Sequence, residues 1–570
     1  TVTDSHGTIT RTYDALNRVA SYTDTYGKTI RYEYDAVGNL SKLVYPDNTA
    51  VTYAYDANHN LIRVTDWANR VTAYTYDVNN RVIGVTKPDG SVTTTVYDSK
   101  QRVTSTVERT ASGAVITGFE YTYDDLSRIT EEKILANSTK MCYTYDSLNR
   151  VTKRTIKNLS NVVLSEESYS YDAAGNITDA PVSCFQYDTN NRLVVFNGNS
   201  VSYDMDGNML NNGVSSFTYD SANRLVSAGG HTYTYNAEDV RIRNLCTDED
   251  TTYTYNTNCK LSQLLTKTTG GVVTKYVYGR GLIGEDKSNT FKTYHFDYRG
   301  STIAITDASG NITDTFAYDT YGKLVSRTGT SDVIFCYNGR DGVVTDKNGL
   351  LYMRARYYSP DMKRFINADI VVGDISNAIT LNRYAYANGN PVSFVDPFGL
   401  SAERGKGIDE LSGSLKDILN TLATYEIGFF EGSIYIGADR YYFSVSGSMG
   451  DGDIDIASIA KGQYESLQTV KWSVDNLKIS YGSDSIGYTY SAQIDDYNTM
   501  SAMVKISNDG TITAEYDVTT KIDDNSSVSL TWGVENKKDD IVGPKIPVIE
   551  PSYNHATQSE QSKPGALEQI

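Results

Sequence analysis

Tyrosine and β-branched residues alternate with polar ones along most of this chain, and the alternation is broken at regular intervals by an Asp-to-Asn or Asp-to-Gly turn. Tyr143-Thr144-Tyr145-Asp146-Ser147-Leu148-Asn149-Arg150-Val151 is one such unit. A period of two puts both tyrosines on one face of a strand, and Asp, Asn and Gly supply the turn conformations, so each unit predicts a β-hairpin. The units recur. Tyr-Asp pairs begin at Tyr13, Tyr34, Tyr55, Tyr76 and Tyr97, a constant step of 21 residues, then at Tyr123, Tyr145 and Tyr171. They return at Tyr187, Tyr203 and Tyr219 with a step of 16. A lone hairpin is marginal in water, so the units must stack and share a long, coiled sheet.

From about Tyr294 the pattern changes. It runs through Tyr294-His295-Phe296-Asp297, then Leu351-Tyr352-Met353-Arg354-Ala355-Arg356-Tyr357-Tyr358-Ser359-Pro360 and Arg364-Phe365-Ile366-Asn367-Ala368-Asp369. It closes with Asn382-Arg383-Tyr384 and Asn390-Pro391 to Asp396-Pro397-Phe398-Gly399-Leu400. After Leu400 the Tyr-Asp units stop. Ile408, Leu411, Leu415, Ile418 and Leu422 are spaced by threes and fours, which predicts an amphipathic helix over 407–424. Alternation then resumes at Val470–Val474, Leu477–Tyr481 and Ile486–Tyr490. Asn508-Asp509-Gly510 reads as a hairpin turn, and Val528 to Val534 as a last strand.

Composition agrees with many short strands: 47 Tyr against 14 Phe and 3 Trp, with 44 Gly and 10 Pro. The formal net charge of −18 argues against a nucleic-acid surface, which needs clustered Lys and Arg. Residues 401–570 hold 13 Lys+Arg and 26 Asp+Glu, so most of the acidity lies there. That segment has no Cys and only His555, which removes the parts for Cys–His or His-metal chemistry. Asp451, Asp453 and Asp455 read as a solvated acidic turn rather than a cation loop. The five cysteines, Cys142, Cys184, Cys246, Cys259 and Cys336, show no CxxC pair and read as scattered buried thiols. The sequence calls for no metal and no cofactor.

The Y-x-Y-D units resemble the YD repeats of Rhs proteins, of WapA-type wall proteins and of Tc-toxin B and C components. The string from Arg356-Tyr357-Tyr358 to Leu400 is similar to the RHS repeat-associated core domain. The resemblance, which covers about 1–400, implies a mainly β fold. YD-repeat β-hairpins over 1–290 would coil into a partial hollow shell, and a core domain over 291–400 would close it. A separate helix-plus-antiparallel-β effector-like tail would occupy 401–570, with 401–406 as linker and 537–570 loose. The resemblance also implies that the core cuts its own chain once, between Leu400 and Ser401, by aspartyl-type chemistry. Asp369 and Asp396 would be the carboxylate pair, Arg356 the supporting basic residue that orients a carboxylate, and Pro397 and Gly399 the turn that presents Leu400. Here Asp369 is followed by Ile370 and Val371, where the family often writes Pro-x-Gly.

The function expected on this basis is a secreted or cell-surface polymorphic toxin whose shell encloses and delivers its C-terminal effector. The expected export signal would lie outside this sequence. The expected partners are a cognate immunity protein for the tail and a surface receptor or carbohydrate. No nucleic acid is expected, and membrane contact only during delivery. The alternative is a non-enzymatic cell-surface adhesion or carbohydrate-binding protein.

Overall fold

The computed structural model describes residues 1–400 except Val182 and 372–377, and beyond them the backbone of strands between Glu403 and His555. The chain divides into two units, Thr1–Ser412 and Gly413–Ile570.

In the first unit, consecutive hairpins join into long antiparallel sheets whose strand order is the sequence order. Sixteen strands from Val2–Asp4 to Val163–Ser168 form one sheet, and twelve from Phe217–Tyr219 to Leu324–Thr328 form another. Shorter five- and two-stranded sheets lie between them in sequence. Among the described residues there is no α-helix, only three short 3₁₀ turns at Gly339–Asp341, Ala378–Leu381 and Ala387–Gly389.

The repeat signature has a local physical cause, seen at Asp14. Its Oδ1 accepts the Leu16 and Arg18 backbone N–H groups, both at 2.9 Å, and its Oδ2 accepts Arg18 Nε at 2.8 Å. Asn17 takes the left-handed conformation that closes the turn, with φ of 59°. Arg18, aligned by the aspartate, lies 4.5 Å from the ring centroid of Tyr34 in the next unit, and Tyr34 Oη donates to Val19 O at 2.9 Å. The same lock joins Arg81 to Tyr97, Arg102 to Tyr123 and Arg150 to Tyr171. The Tyr-Asp and Arg positions are thus the couplings by which one hairpin fixes the next.

The first tyrosine of each Y-x-Y pair points deeper. Tyr32 is buried and donates to Asn256 Oδ1 across the sheets at 2.9 Å, and Tyr45, which stands outside these pairs, likewise donates its Oη to Tyr276 O at 2.6 Å. Ile9, Ile30, Leu43, Val51 and Val64 from the first sheet share one apolar core with Leu264, Tyr276, Ile283 and Ile305 from the second. Each fully buried aliphatic side chain contributes roughly 1.5–3 kcal/mol. Arg70 ties the two sheets together, bonding Asp66 and Asp286 at 2.6 Å each.

The segment after Thr328 packs on this framework. A four-stranded sheet, Val344–Thr345, Leu351–Met353, Arg356–Ser359 and Arg364–Phe365, holds the RYY run. Tyr358 Oη donates to Tyr321 O at 2.7 Å, Met209 N to Ile366 O at 3.0 Å, and Tyr384 Oη to Gly207 O at 3.0 Å. The thiols differ from expectation: only Cys336 is buried, while Cys184 and Cys259 are exposed. Cys184 sits at an outward position of the alternating strand Ser183–Tyr187, so period two places it outside.

In the second unit a three-stranded sheet comprises Glu431–Ala438, Tyr441–Ser448 and Ile454–Ile456. A six-stranded one runs from Leu477–Tyr481 to Ser552–His555. Strands Asn498–Ser507 and Ile512–Asp523 pair antiparallel with Ile506 opposite Ile512; the Asn508-Asp509-Gly510 segment between them lies outside the described residues. The helix expected over 407–424, and Asp451 and Asp453 of the acidic run, lie outside the described residues.

Candidate active site

Arg356 opens the strand Arg356–Ser359, which places its side chain inside the unit, only 4% exposed. The guanidinium lies flat on the Phe365 ring, 3.6 Å from its centroid. The adjacent Tyr357 and Tyr358 do not take that role. Tyr357 belongs instead to an aromatic cage around the buried Arg241.

Every edge of the Arg356 fork is used. Nη2 meets Asp369 Oδ2 at 2.7 Å and Asp396 Oδ2 at 3.4 Å. Nη1 donates to Arg383 O at 2.8 Å, and Nε donates to the carbonyl of Gly399. One guanidinium nitrogen therefore serves both carboxylates, and the same side chain holds the turn that ends at Leu400.

That turn is closed by Asp396, whose Oδ1 accepts the Leu400 N–H at 2.9 Å. The Gly399–Leu400 peptide unit is gripped on both edges, its carbonyl by Arg356 and its N–H by Asp396. Gly399 is required by geometry: its φ is +72°, and a Cβ would lie 2.6 Å from Met353 O. Arg354 Nη1 fixes Pro397 O at 2.6 Å, and Ala355 N–H donates to Phe398 O at 3.1 Å. Phe398 and Leu400 are themselves buried, which anchors the turn by apolar contact. Beyond it, Phe394–Val395 pairs with Glu403–Arg404, Val395 opposite Glu403, so the chain doubles back around this turn. Ser401 lies outside the described residues.

Asp369 comes from the other side, held by backbone bonds with Arg383. Its N–H donates to Arg383 O at 2.9 Å, and its carbonyl accepts Arg383 Nε at 2.6 Å. Val371 N–H caps its Oδ1 at 2.8 Å, a bond from two residues on that needs no proline at position 370. Burial lifts the Asp369 carboxyl above its ordinary value, against the pull of Arg356, the Val371 amide and Arg383.

All three residues assigned from the sequence thus meet, with Pro397, Gly399 and Leu400 beside them. Phe365, Arg354 and Arg383 complete the site and were not singled out from the sequence. Their signal was present, since Arg354 and Phe365 belong to the same string as Arg356, and Arg383 follows Asn382 in another. Two buried carboxylates of unequal environment, set on a tight turn, are the parts of acid–base catalysis at a peptide bond.

Comparison with known proteins bears on the whole first unit. A family described as Teneurin YD-shell matches residues 106–392, about half the chain, and RHS Repeat units match 13–50, 34–71 and 55–92. The chain is 32% identical over 166 residues to the tRNA3(Ser)-specific nuclease WapA of Bacillus spizizenii, a match covering 28% of this chain and 7% of that protein. It is 30% identical over 131 residues to salivary gland surface protein 1 of Aedes aegypti, covering 22% of this chain and 4% of the other. This chain therefore spans less than a tenth of each relative. Among solved structures, the TcdB2-TccC3 crystal structure aligns with a TM-score of 0.56 at 18% identity, over 68% of this chain and 24% of the other. That likeness is one of fold.

Proposed function

Because the chain belongs to the RHS/YD-repeat shell family, we propose that it is part of a secreted or surface polymorphic toxin whose shell carries residues 401–570 and severs them at Leu400–Ser401. The observation that carries this reading is the single Arg356 nitrogen shared by Asp369 and Asp396 beside the gripped Gly399–Leu400 unit. In the proposed cut, Asp369 gives a proton to the Leu400 carbonyl oxygen while Asp396 takes one from the attacking water. The resulting diol then collapses: Asp396 passes its proton to the Ser401 nitrogen as the C–N bond breaks, and Asp369 recovers its proton as the new carboxyl forms. Arg356 keeps both carboxylates facing the turn. No metal or cofactor enters the scheme. The reaction occurs once per chain, because the substrate is the chain itself.

Release of an active tail inside its producer would call for a cognate immunity protein, and delivery would bring the shell to a receptor or carbohydrate on the target surface. The test is expression of 401–570 alone in host cells. Growth arrest that a neighbouring gene relieves supports a toxin cargo. Full tolerance of strong expression removes that part of the reading. The similarity to a salivary gland surface protein favours a second reading, a non-enzymatic adhesion protein. A chain that stays uncut and binds immobilised glycans through its first unit would favour that second reading.

A further inference from the structure

A cavity of about 570 Å³ opens in the first unit, and neither Arg356, Asp369 nor Asp396 lines it. Tyr169, Phe196 and Phe217 line it on one side, with Asn348, Asp319 and Lys363 among its polar groups. Lys363 is its unusual member. It occupies a turn between Arg356–Ser359 and Arg364–Phe365 in the left-handed conformation, φ 57°, which glycine or asparagine adopts far more readily. The residue is only 5% exposed, and Asp319, Asp361 and Glu167 are the carboxylates that act on its amine through space.

The charged groups around it are otherwise engaged. Glu167 accepts from Arg154 at 2.5 Å and from Thr320 and Tyr169 hydroxyls at 2.7 and 2.9 Å. Asp361 pairs with Lys323 at 2.6 Å. Asp319 uses Oδ1 for the Tyr321 and Lys323 backbone N–H groups, both at 2.9 Å, and the residue lines the cavity with Lys363. Burial holds the Lys363 ammonium below its ordinary value, Asp319 opposing, and burial lifts the Asp319 carboxyl above its own. A lysine held in a left-handed turn and an aspartate that line the same cavity bring an amine and a carboxyl to one space that a small molecule can enter.

We propose that Lys363 is the acceptor amine for a small carbonyl compound bound in this cavity, with Asp319 as the acid that assists loss of water. The Nζ lone pair attacks the carbonyl carbon as the oxygen takes the Asp319 proton. The nitrogen then returns a proton to the Asp319 carboxylate. That proton passes to the hydroxyl, which departs as water while the nitrogen lone pair closes the C=N bond. One amine and one carbonyl give one protonated imine and one water, and Asp319 ends as the carboxylate beside it.

The test uses the full chain at pH 7 with glyceraldehyde, a neutral hydroxylated carbonyl, or glyoxylate, an anionic one. Cyanoborohydride traps the imine, and peptide mass spectrometry maps the alkylated lysines. Lys363 is expected to react at least tenfold faster than the exposed Lys100 and Lys260. Asp319→Asn, which keeps the Oδ1 acceptor of the turn, should slow Lys363 several-fold without altering those two. The faster probe identifies whether a sugar-like or an acidic carbonyl is the fit. Lys363 reacting no faster than the exposed lysines in the folded wild type overturns the proposal. A fast reaction indifferent to Asp319→Asn overturns the role of the acid.

Discussion

At Arg356 one nitrogen faces two carboxylates, and what each residue of the site can do follows from its separate surroundings. Asp369 has its proton affinity raised by burial. A carboxyl that is raised in the fold binds its proton more tightly there than in the unfolded chain. Its contribution to stability is therefore full at low pH and is lost as pH rises from about 3.8 through the raised value. Asp369→Asn should flatten that part of the urea-midpoint profile, and an unchanged slope would count against the assignment. The cleavage rate should fall over the same rise in pH, as the acid form is lost. Either Asp369→Asn or Asp396→Asn should slow cleavage by at least about 100-fold, read by gel densitometry over time. Gly399→Ala places a methyl against the Met353 carbonyl in a positive-φ turn, at a cost of about 1–3 kcal/mol. It should abolish cleavage while leaving the far-ultraviolet circular dichroism of the sheets in place.

The hairpin unit is held by couplings of unequal depth. Most Asp–Arg pairs lie in partly exposed turns, but Arg70 joins Asp66 and Asp286 where both carboxylates are buried. Removing the cation leaves two buried charges, so Arg70→Ala should cost about 3 kcal/mol by urea unfolding. Arg81→Ala, in a more exposed turn of the same sheet, should shift the midpoint far less. A deeper joint lies at His295, within 3.0 Å of Glu108 and 3.5 Å of Asp89, with Lys87 Nζ 2.9 Å from Glu108. Burial opposes ionisation of Glu108, yet His295 and Lys87 overcome it and hold the carboxyl well below its ordinary 4.5. A depressed carboxyl contributes fully above that value and loses its contribution as pH falls below it. Glu108→Gln should therefore reduce the loss of stability between about pH 4.5 and 2. An unaltered acid limb would show that the joint carries no such linkage.

Over the whole molecule, the sequence announced the repeat and the antiparallel sheets because each rests on short-range chemistry, whereas the meeting of Asp369, Asp396 and Arg356, up to 40 residues apart, was expected only from the family resemblance. A Tyr-Asp pair followed by Asn and Arg dictates its own turn, and a Pro-x-Gly turn dictates its own direction. What the sequence could not reveal depended on which strands face each other. The Tyr45–Tyr276 bond and the Arg70–Asp286 pair are long-range results of how the sheets face each other. The same holds for the cavity beside Lys363, whose walls come from residues far apart in sequence. The central claim concerns a single peptide bond. Intact mass with N-terminal sequencing, on purified wild type and on Asp396→Asn and Asp369→Asn, addresses it directly. The account predicts a new N-terminus at Ser401 in wild type and an uncut chain in both variants. An uncut wild-type chain, or a cut that survives both substitutions, would contradict it.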